Sequence, residues 1–210
     1  MPNHVTTMVR MTPEAAFAFT RTHTEEERAE HARNEDKRRV RMIEAGRGDL
    51  FKQESLSDDR FVDFALVIPE PESIFRGGCN MQHPHPKEDG SGFYEHCWNG
   101  WNRDNWGTKW NGYDSTVEPT EGDLVIVRFD SAWSHPFPVM QALSEKFPED
   151  RFEVMFADED LGYNLGIYTM VNGEVIEESD IEPGSDTALD IASGIKYGKS
   201  YAEQKKEWGE

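Results

Sequence analysis

The residues in this chain best suited to chemistry lie in one stretch, Cys79-x3-His83-x-His85 followed by His96-Cys97. Thiolate and imidazole are the ligands that zinc takes four at a time in a closed structural site. Cys79, His83, His85 and Cys97 could supply such a set and anchor the 77–97 loop. His96 adjoins Cys97 and is less suited to facing the same ion. There is no C-x2-C or H-x3-H pair, so the spacing equally fits a Pro-rich surface loop with two unrelated cysteines. Two cysteines are too few for a disulfide framework, which leaves them as free thiols or as members of one local site. A nucleophilic cysteine needs a base in reach and a third group to orient it, and sequence neighbours on a helix do not face each other. This disfavours Cys97 acting with His96.

A second cluster is acidic. Asp158, Glu159 and Asp160 could bind a divalent cation or exchange protons. They precede Gly162 without EF-hand spacing, and a turn between strands is an ordinary place for acids. No Walker loop, G-x-S-x-G or H-E-x-x-H is present. The sequence therefore leans away from an enzyme without excluding one.

The elements must converge near Asn105-Trp106-Gly107-Thr108-Lys109-Trp110-Asn111. With Trp98 and Trp101 just upstream, four of the six tryptophans fall between residues 98 and 110. Indoles bring large apolar area and one N–H that needs a partner, while Asn and Gly suit tight turns. This stretch is expected to be a structural keystone with Trp106 and Trp110 mostly buried. Arg103, Lys109 and the tryptophans also make a small basic-aromatic patch, the sign of a nucleic-acid-binding module, although Asp104 and Asp114 oppose it.

Around that stretch, residues 4–11 alternate as a strand, and Thr12-Pro13-Glu14 opens a helix to about Thr22. Residues 24–47 lead with acids and follow with bases, which predicts an exposed inserted helix ended by Gly46 and Gly48. Phe61 to Ile68 reads as a strand stopped by Pro69-Glu70-Pro71. About Gly92 to Arg103 reads as helix, and Thr108 to Val117 as extended chain. Strands follow at 124–129 and 152–156, with a helix carrying Val139, Met140, Leu143 and Phe147 between them. His135-Pro136 reads as that helix's start. A further strand, Tyr163 to Val171, turns at Asn172-Gly173 and returns through Glu174 to Glu178. The tail after 180 is polar, helical in pieces, and held by Trp208. A β-α-β-β run closing on a hairpin indicates an α+β, ferredoxin-like arrangement with an inserted charged helix. The expected division is 1–117 with the insert and the Cys/His loop, 118–180 ferredoxin-like, and 181–210 a tail.

The formal net charge is −19. Residues 1–60 hold 11 Lys/Arg and 12 Asp/Glu, whereas 61–210 hold 11 and 29. Such an excess repels nucleic-acid phosphate and suits solubility or a basic protein partner. No apolar run reaches membrane-spanning length and no signal-peptide core is present, so a cytoplasmic protein is expected.

The tryptophan motif, Phe129-Asp130-Ser131-Ala132-Trp133 with Pro136 and Pro138 after it, and Asp158-Glu159-Asp160 before Gly162 and Gly166 carry a resemblance. Together with Ile68-Pro69-Glu70-Pro71, they make residues 1–178 similar to the YubB-like proteins of bacteriophages and plasmids, which end in a ferredoxin-like domain. The charged insert and the tail depart from that pattern. The resemblance implies a mobile-element origin and a fold but no established enzymatic activity, which leaves the function open. The functional expectation is a cytoplasmic accessory protein that binds a host or self protein with a basic surface. Asp158, Glu159, Asp160, Glu177 and Glu178 would lie on its acidic face, and counteracting a host defence is one such role. The alternatives are a metal-dependent enzyme built on the Cys/His cluster, with zinc, and a nucleic-acid binder using the sheet.

Overall fold

The computed structural model describes residues 3–52, 56, 59–79, 85–120 and 122–209. In chain order these form β1 (His4–Met11), α1 (Pro13–Phe19), β2 (Thr20–Arg21), α2 (Glu25–Glu44), β3 (Phe61–Val62), β4 (Ile74–Phe75) and β5 (His96–Cys97). There follow α3 (Trp98–Asn105), β6 (Tyr113–Pro119), β7 (Val125–Ala132), α4 (Phe137–Lys146), β8 (Phe152–Ala157), β9 (Leu165–Val171), β10 (Glu174–Glu178), α5 (Asp186–Tyr197) and α6 (Tyr201–Trp208).

Alternation in β1 sets the layers. Val5, Thr7, Val9 and Met11 are buried on one face, and Thr6, Met8 and Arg10 turn to the other. β1 lies between β7 and β8, antiparallel to both, within a six-stranded sheet of order β10-β9-β8-β1-β7-β6. The succession β1-α1-β6-β7-α4-β8, with spatial order β8-β1-β7-β6, is the β-α-β-β-α-β pattern of a ferredoxin-like fold. β9 and β10 extend it through the Asn172-Gly173 turn, where φ is +48° and +77°, the double positive φ of a two-residue hairpin.

The sheet thus draws on both sides of the expected 117/118 boundary, because its first strand and helix are residues 4–19. Residues 1–20 and 61–210 form one compact unit, which includes α5 and α6, and residues 21–60 form another.

On one face of the sheet, Ala15, Ala16 and Phe19 of α1 and Val139, Met140 and Leu143 of α4 close over Val9, Val127, Phe129 and Val154. Phe64 and Trp106 join that core. Fully burying one such side chain contributes about 1.5–3 kcal/mol. On the opposite face Ala192 and Ile195 of α5 pack against Ala157, with Met8, Met155 and Leu165 beside them. The polar tail is therefore two helices. Ser185 and Ser200 cap their N-termini, and Trp208 meets Tyr197 edge-on at 5.9 Å between ring centroids.

One expected strand is replaced. Between Phe61 and Ile68 only Phe61–Val62 is strand, and Phe64–Leu66 is a 3-10 turn. The Asp63 carboxylate accepts from Ala65 N at 3.1 Å and Asn111 Oδ1 from Phe64 N at 2.8 Å, so side chains take hydrogen bonds that a neighbouring strand would have made. Val62, Phe64 and Val67 of the apolar run are buried by this turn, and Leu66 is left exposed.

The 21–60 unit holds the inserted charged helix. Thr24 and Glu27 form a capping box at the start of α2. Arg21 grips the Glu27 carboxylate with both terminal guanidinium nitrogens, at 2.8 and 2.7 Å, and this holds the pKa of Glu27 down to about 2. α2 runs to Glu44, and Gly46 turns left-handed just beyond it.

Candidate functional site

The tryptophan stretch is built from hydrogen bonds that leave few of its polar groups idle. α3 ends at Trp106, which is 3% exposed and whose ring meets Phe64 and Trp101 edge-on at 5.7 and 5.6 Å. Its Nε1 donates to the Ile68 carbonyl at 2.9 Å. Gly107 then turns with φ +75°, and a β-carbon there would lie 2.7 Å from Pro138 Cδ. Thr108 Oγ1 and Lys109 N both donate to the Ala132 carbonyl, at 2.6 and 3.2 Å, which ties the turn to the end of β7. Asn105 Nδ2 reaches back to the Trp101 carbonyl at 2.9 Å. Asn111 is spent inside: its Oδ1 accepts from Phe64 N and Gly112 N, and its Nδ2 donates to Asp63 Oδ1 at 2.8 Å.

Trp110 departs from the expectation of burial. It is 36% exposed. Lys109 Nζ sits 4.9 Å from the Trp110 ring centroid and 4.5 Å from that of Trp133, which is 41% exposed. Two indole faces thus hold one ammonium, an attraction between the cation and the ring quadrupoles. Trp133 carries φ +80°, a left-handed conformation that a bulky residue rarely adopts. Its N–H donates to the Asn3 carbonyl at 2.7 Å.

In the Cys/His stretch the sulfurs of Cys79 and Cys97 are bonded to each other, with Cα atoms 6.2 Å apart. His85 is buried and stacked on Phe75 at 4.0 Å between centroids. His83 lies outside the described residues. Among the described residues no three His, Cys, Asp or Glu side chains gather as a metal site. No helix among them is long and apolar enough to cross a membrane.

The acidic candidates divide. Asp158 is 3% exposed and not on a surface at all. Its Oδ2 accepts from Asn3 and Asn164 Nδ2 at 2.7 and 2.6 Å, and its Oδ1 from Asp160 N at 2.8 Å. This corrects its expected place on a partner-binding face: its carboxylate organises the β8–β9 turn. Glu159 and Asp160 are exposed, as is every residue of β10, Glu177 and Glu178 included. Glu177 pairs with Arg151 at 2.5 Å.

Two groupings escape sequence reading. His135 does precede a helix start, but its ring is partly buried and packed inward, stacked on Phe156 at 4.4 Å. Its nitrogens meet Thr7 Oγ1 at 2.9 Å and the Tyr168 hydroxyl at 2.7 Å. Burial pushes its pKa down to about 3 and pushes that of the Tyr168 phenol up, so both are neutral near pH 7, and one ring nitrogen donates while the other accepts. The partners are 128 and 33 residues away, a separation no local pattern signals. The other grouping is Glu70 with Arg76 at 2.6 Å beside the tryptophans. The prolines on either side of Glu70 are the signal that its backbone is fixed.

Residues 105–204 match the family described as the ferredoxin-like domain in Api92-like protein. The fold is α+β and ferredoxin-like. Among solved structures the chain is similar to protein Api92 from Yersinia pseudotuberculosis, at 17% identity and a TM-score of 0.35 over 42% of this chain. The match spans about a third (32%) of that protein's length. No curated protein matches the chain.

Proposed function

We propose that this chain is a phage- or plasmid-encoded accessory protein of the cytoplasm that acts by binding a basic protein through its acidic face, with blunting of a host defence as one such use. The observation that carries the reading is the edge of the sheet at β10 and the turn after it. Glu174, Glu177, Glu178, Asp180 and Glu182 are all exposed within nine residues. Val175 and Ile176 are exposed between them. An edge strand offers unpaired backbone groups, and charges along it repel indiscriminate strand pairing while attracting a partner of opposite sign. Glu159 and Asp160 add to the same sign of charge. The mobile-element origin is supported by the resemblance in the tryptophan motif.

The test is capture of partners by the immobilised protein at low and high salt, beside a variant with Glu159, Asp160, Glu177 and Glu178 changed to Gln or Asn. Asp158 is left intact because it holds a turn. Capture that weakens with salt and is lost in the variant supports the reading. Capture indifferent to both assigns the charge to solubility alone.

A further inference from the structure

Beside the tryptophan turn lies a hollow of about 310 Å³. Three indoles, Trp98, Trp106 and Trp110, form its apolar part. Its charged groups are one carboxylate and one guanidinium. Glu70 supplies a carboxylate whose side chain is only 10% exposed. Asn102 is 4% exposed; its Nδ2 is spent on the Lys109 carbonyl at 3.0 Å, and its Oδ1 accepts no hydrogen bond from the described residues. A buried carbonyl oxygen without a donor calls for an explanation. The lining offers one charged donor, Arg76, which meets Glu70 at 2.6 Å from a side chain 65% exposed.

We infer that this hollow is a receptor for a guanidinium group, the side chain of an arginine presented by a polypeptide partner, and that Arg76 fills its carboxylate end until the partner arrives. Three features select that chemistry. A planar guanidinium stacks on indole faces and presents a fork of donors, which suits the Glu70 carboxylate better than the point charge of a lysine. The same surface already holds a cation by ring faces, since Lys109 lies between Trp110 and Trp133. The volume is at the small end for ligand sites, which run from about 300 to 1,000 Å³, and suits one side chain better than an extended molecule. Arg76 is mostly solvated, so its ion pair is screened and exchangeable.

The inference rests on the reading of a basic protein partner and narrows it to one residue type. The probes are three capped tripeptides, acetyl-Gly-Xaa-Gly-amide with Xaa arginine, lysine or citrulline. Binding is followed by shifts of the indole N–H resonances. The arginine peptide is expected to bind with shifts at Trp98 and Trp110, the lysine peptide about tenfold more weakly, and the uncharged citrulline peptide not measurably. Glu70→Gln and Trp110→Ala should each weaken the arginine peptide about tenfold, and a thermal melt shows that each variant is folded. Arg76→Ala should tighten it several-fold by removing the internal competitor. Equal binding of the arginine and lysine peptides, or indifference to both Glu70→Gln and Arg76→Ala, overturns the inference and leaves the acidic-edge reading standing. Arginine-selective binding that survives neutralisation of the β10 acids upholds the receptor independently of the acidic edge, which the capture experiment tests.

Discussion

Arg128 on β7 donates from its two terminal guanidinium nitrogens to the carbonyls of Ile195 and Lys196, at 2.5 and 2.8 Å. These carbonyls belong to the last turn of α5, where no further helical N–H exists to satisfy them. A cation at a helix C-terminus also meets the negative end of its dipole. Lys196 answers by donating its Nζ to the His4 carbonyl at 2.9 Å. The helix is thus fastened to the sheet's second face at one end by exchanged polar contacts as well as by the packing of Ala192 and Ile195.

Replacing Arg128 with methionine keeps the stem and removes the cap. Two charge-assisted hydrogen bonds at about 1.5–3 kcal/mol each set the upper bound on the loss. Denaturant unfolding should show it, and amide exchange should show protection lost first in residues 186–197. Unchanged exchange there would mean that packing alone holds α5.

Stability should fall in acid because of His135. Its folded pKa, about 3, lies below the ordinary 6.5, so between those pH values the unfolded chain binds a proton that the folded chain refuses. Stability is therefore full above pH 6.5 and is lost as pH falls toward 3, at up to about 1.4 kcal/mol per pH unit from this group. Urea midpoints measured across that range should lose part of their slope in His135→Gln.

Trp106→Ala should cost about 3–5 kcal/mol, as for a core aromatic. Trp110→Ala, at the exposed edge, should cost far less. Equal effects on the melting temperature would show that the turn depends on both rings alike.

Gly107→Ala should destabilise by more than about 1 kcal/mol, since a left-handed φ and a contact with Pro138 both oppose a β-carbon. Thermal melts of the variant beside wild type measure it.

Asp158→Asn should destabilise where changes at its exposed neighbours do not: Glu159→Gln and Asp160→Asn are expected to stay within about 0.5 kcal/mol of wild type. The three hydrogen bonds to the Asp158 carboxylate make the difference, and chemical denaturation of the three variants reads it directly.

Much of the fold was legible where a pattern is local. Alternation located β1 and β8, and a continuous apolar run located β7. The Thr12-Pro13 start located α1, and Asn172-Gly173 located the hairpin. The ferredoxin-like class followed, but its first strand and helix were not assigned to residues 4–19, because the whole stretch from Thr20 to Gly112 separates α1 from β6. The turn at Phe64–Leu66 was hidden for a different reason: Asn111, which holds it, lies 47 residues downstream of Phe64. The acidic cluster misled at Asp158, since a carboxylate that organises a turn and one that faces solvent are the same letter. Charge itself was plain in the sequence, whereas the hollow between Glu70 and Trp110 depends on tertiary contacts.

The position of β1 also bears on how the chain comes together during synthesis. β1, the first strand among the described residues, is a central one, flanked by strands whose paired residues begin at 125 and end at 157. Until those have left the ribosome, Val5, Val9 and Met11 have no sheet to join. Pairings so distant in sequence close large loops and slow folding. The apolar face of β1 therefore stays without its neighbours until both β7 and β8 have been made.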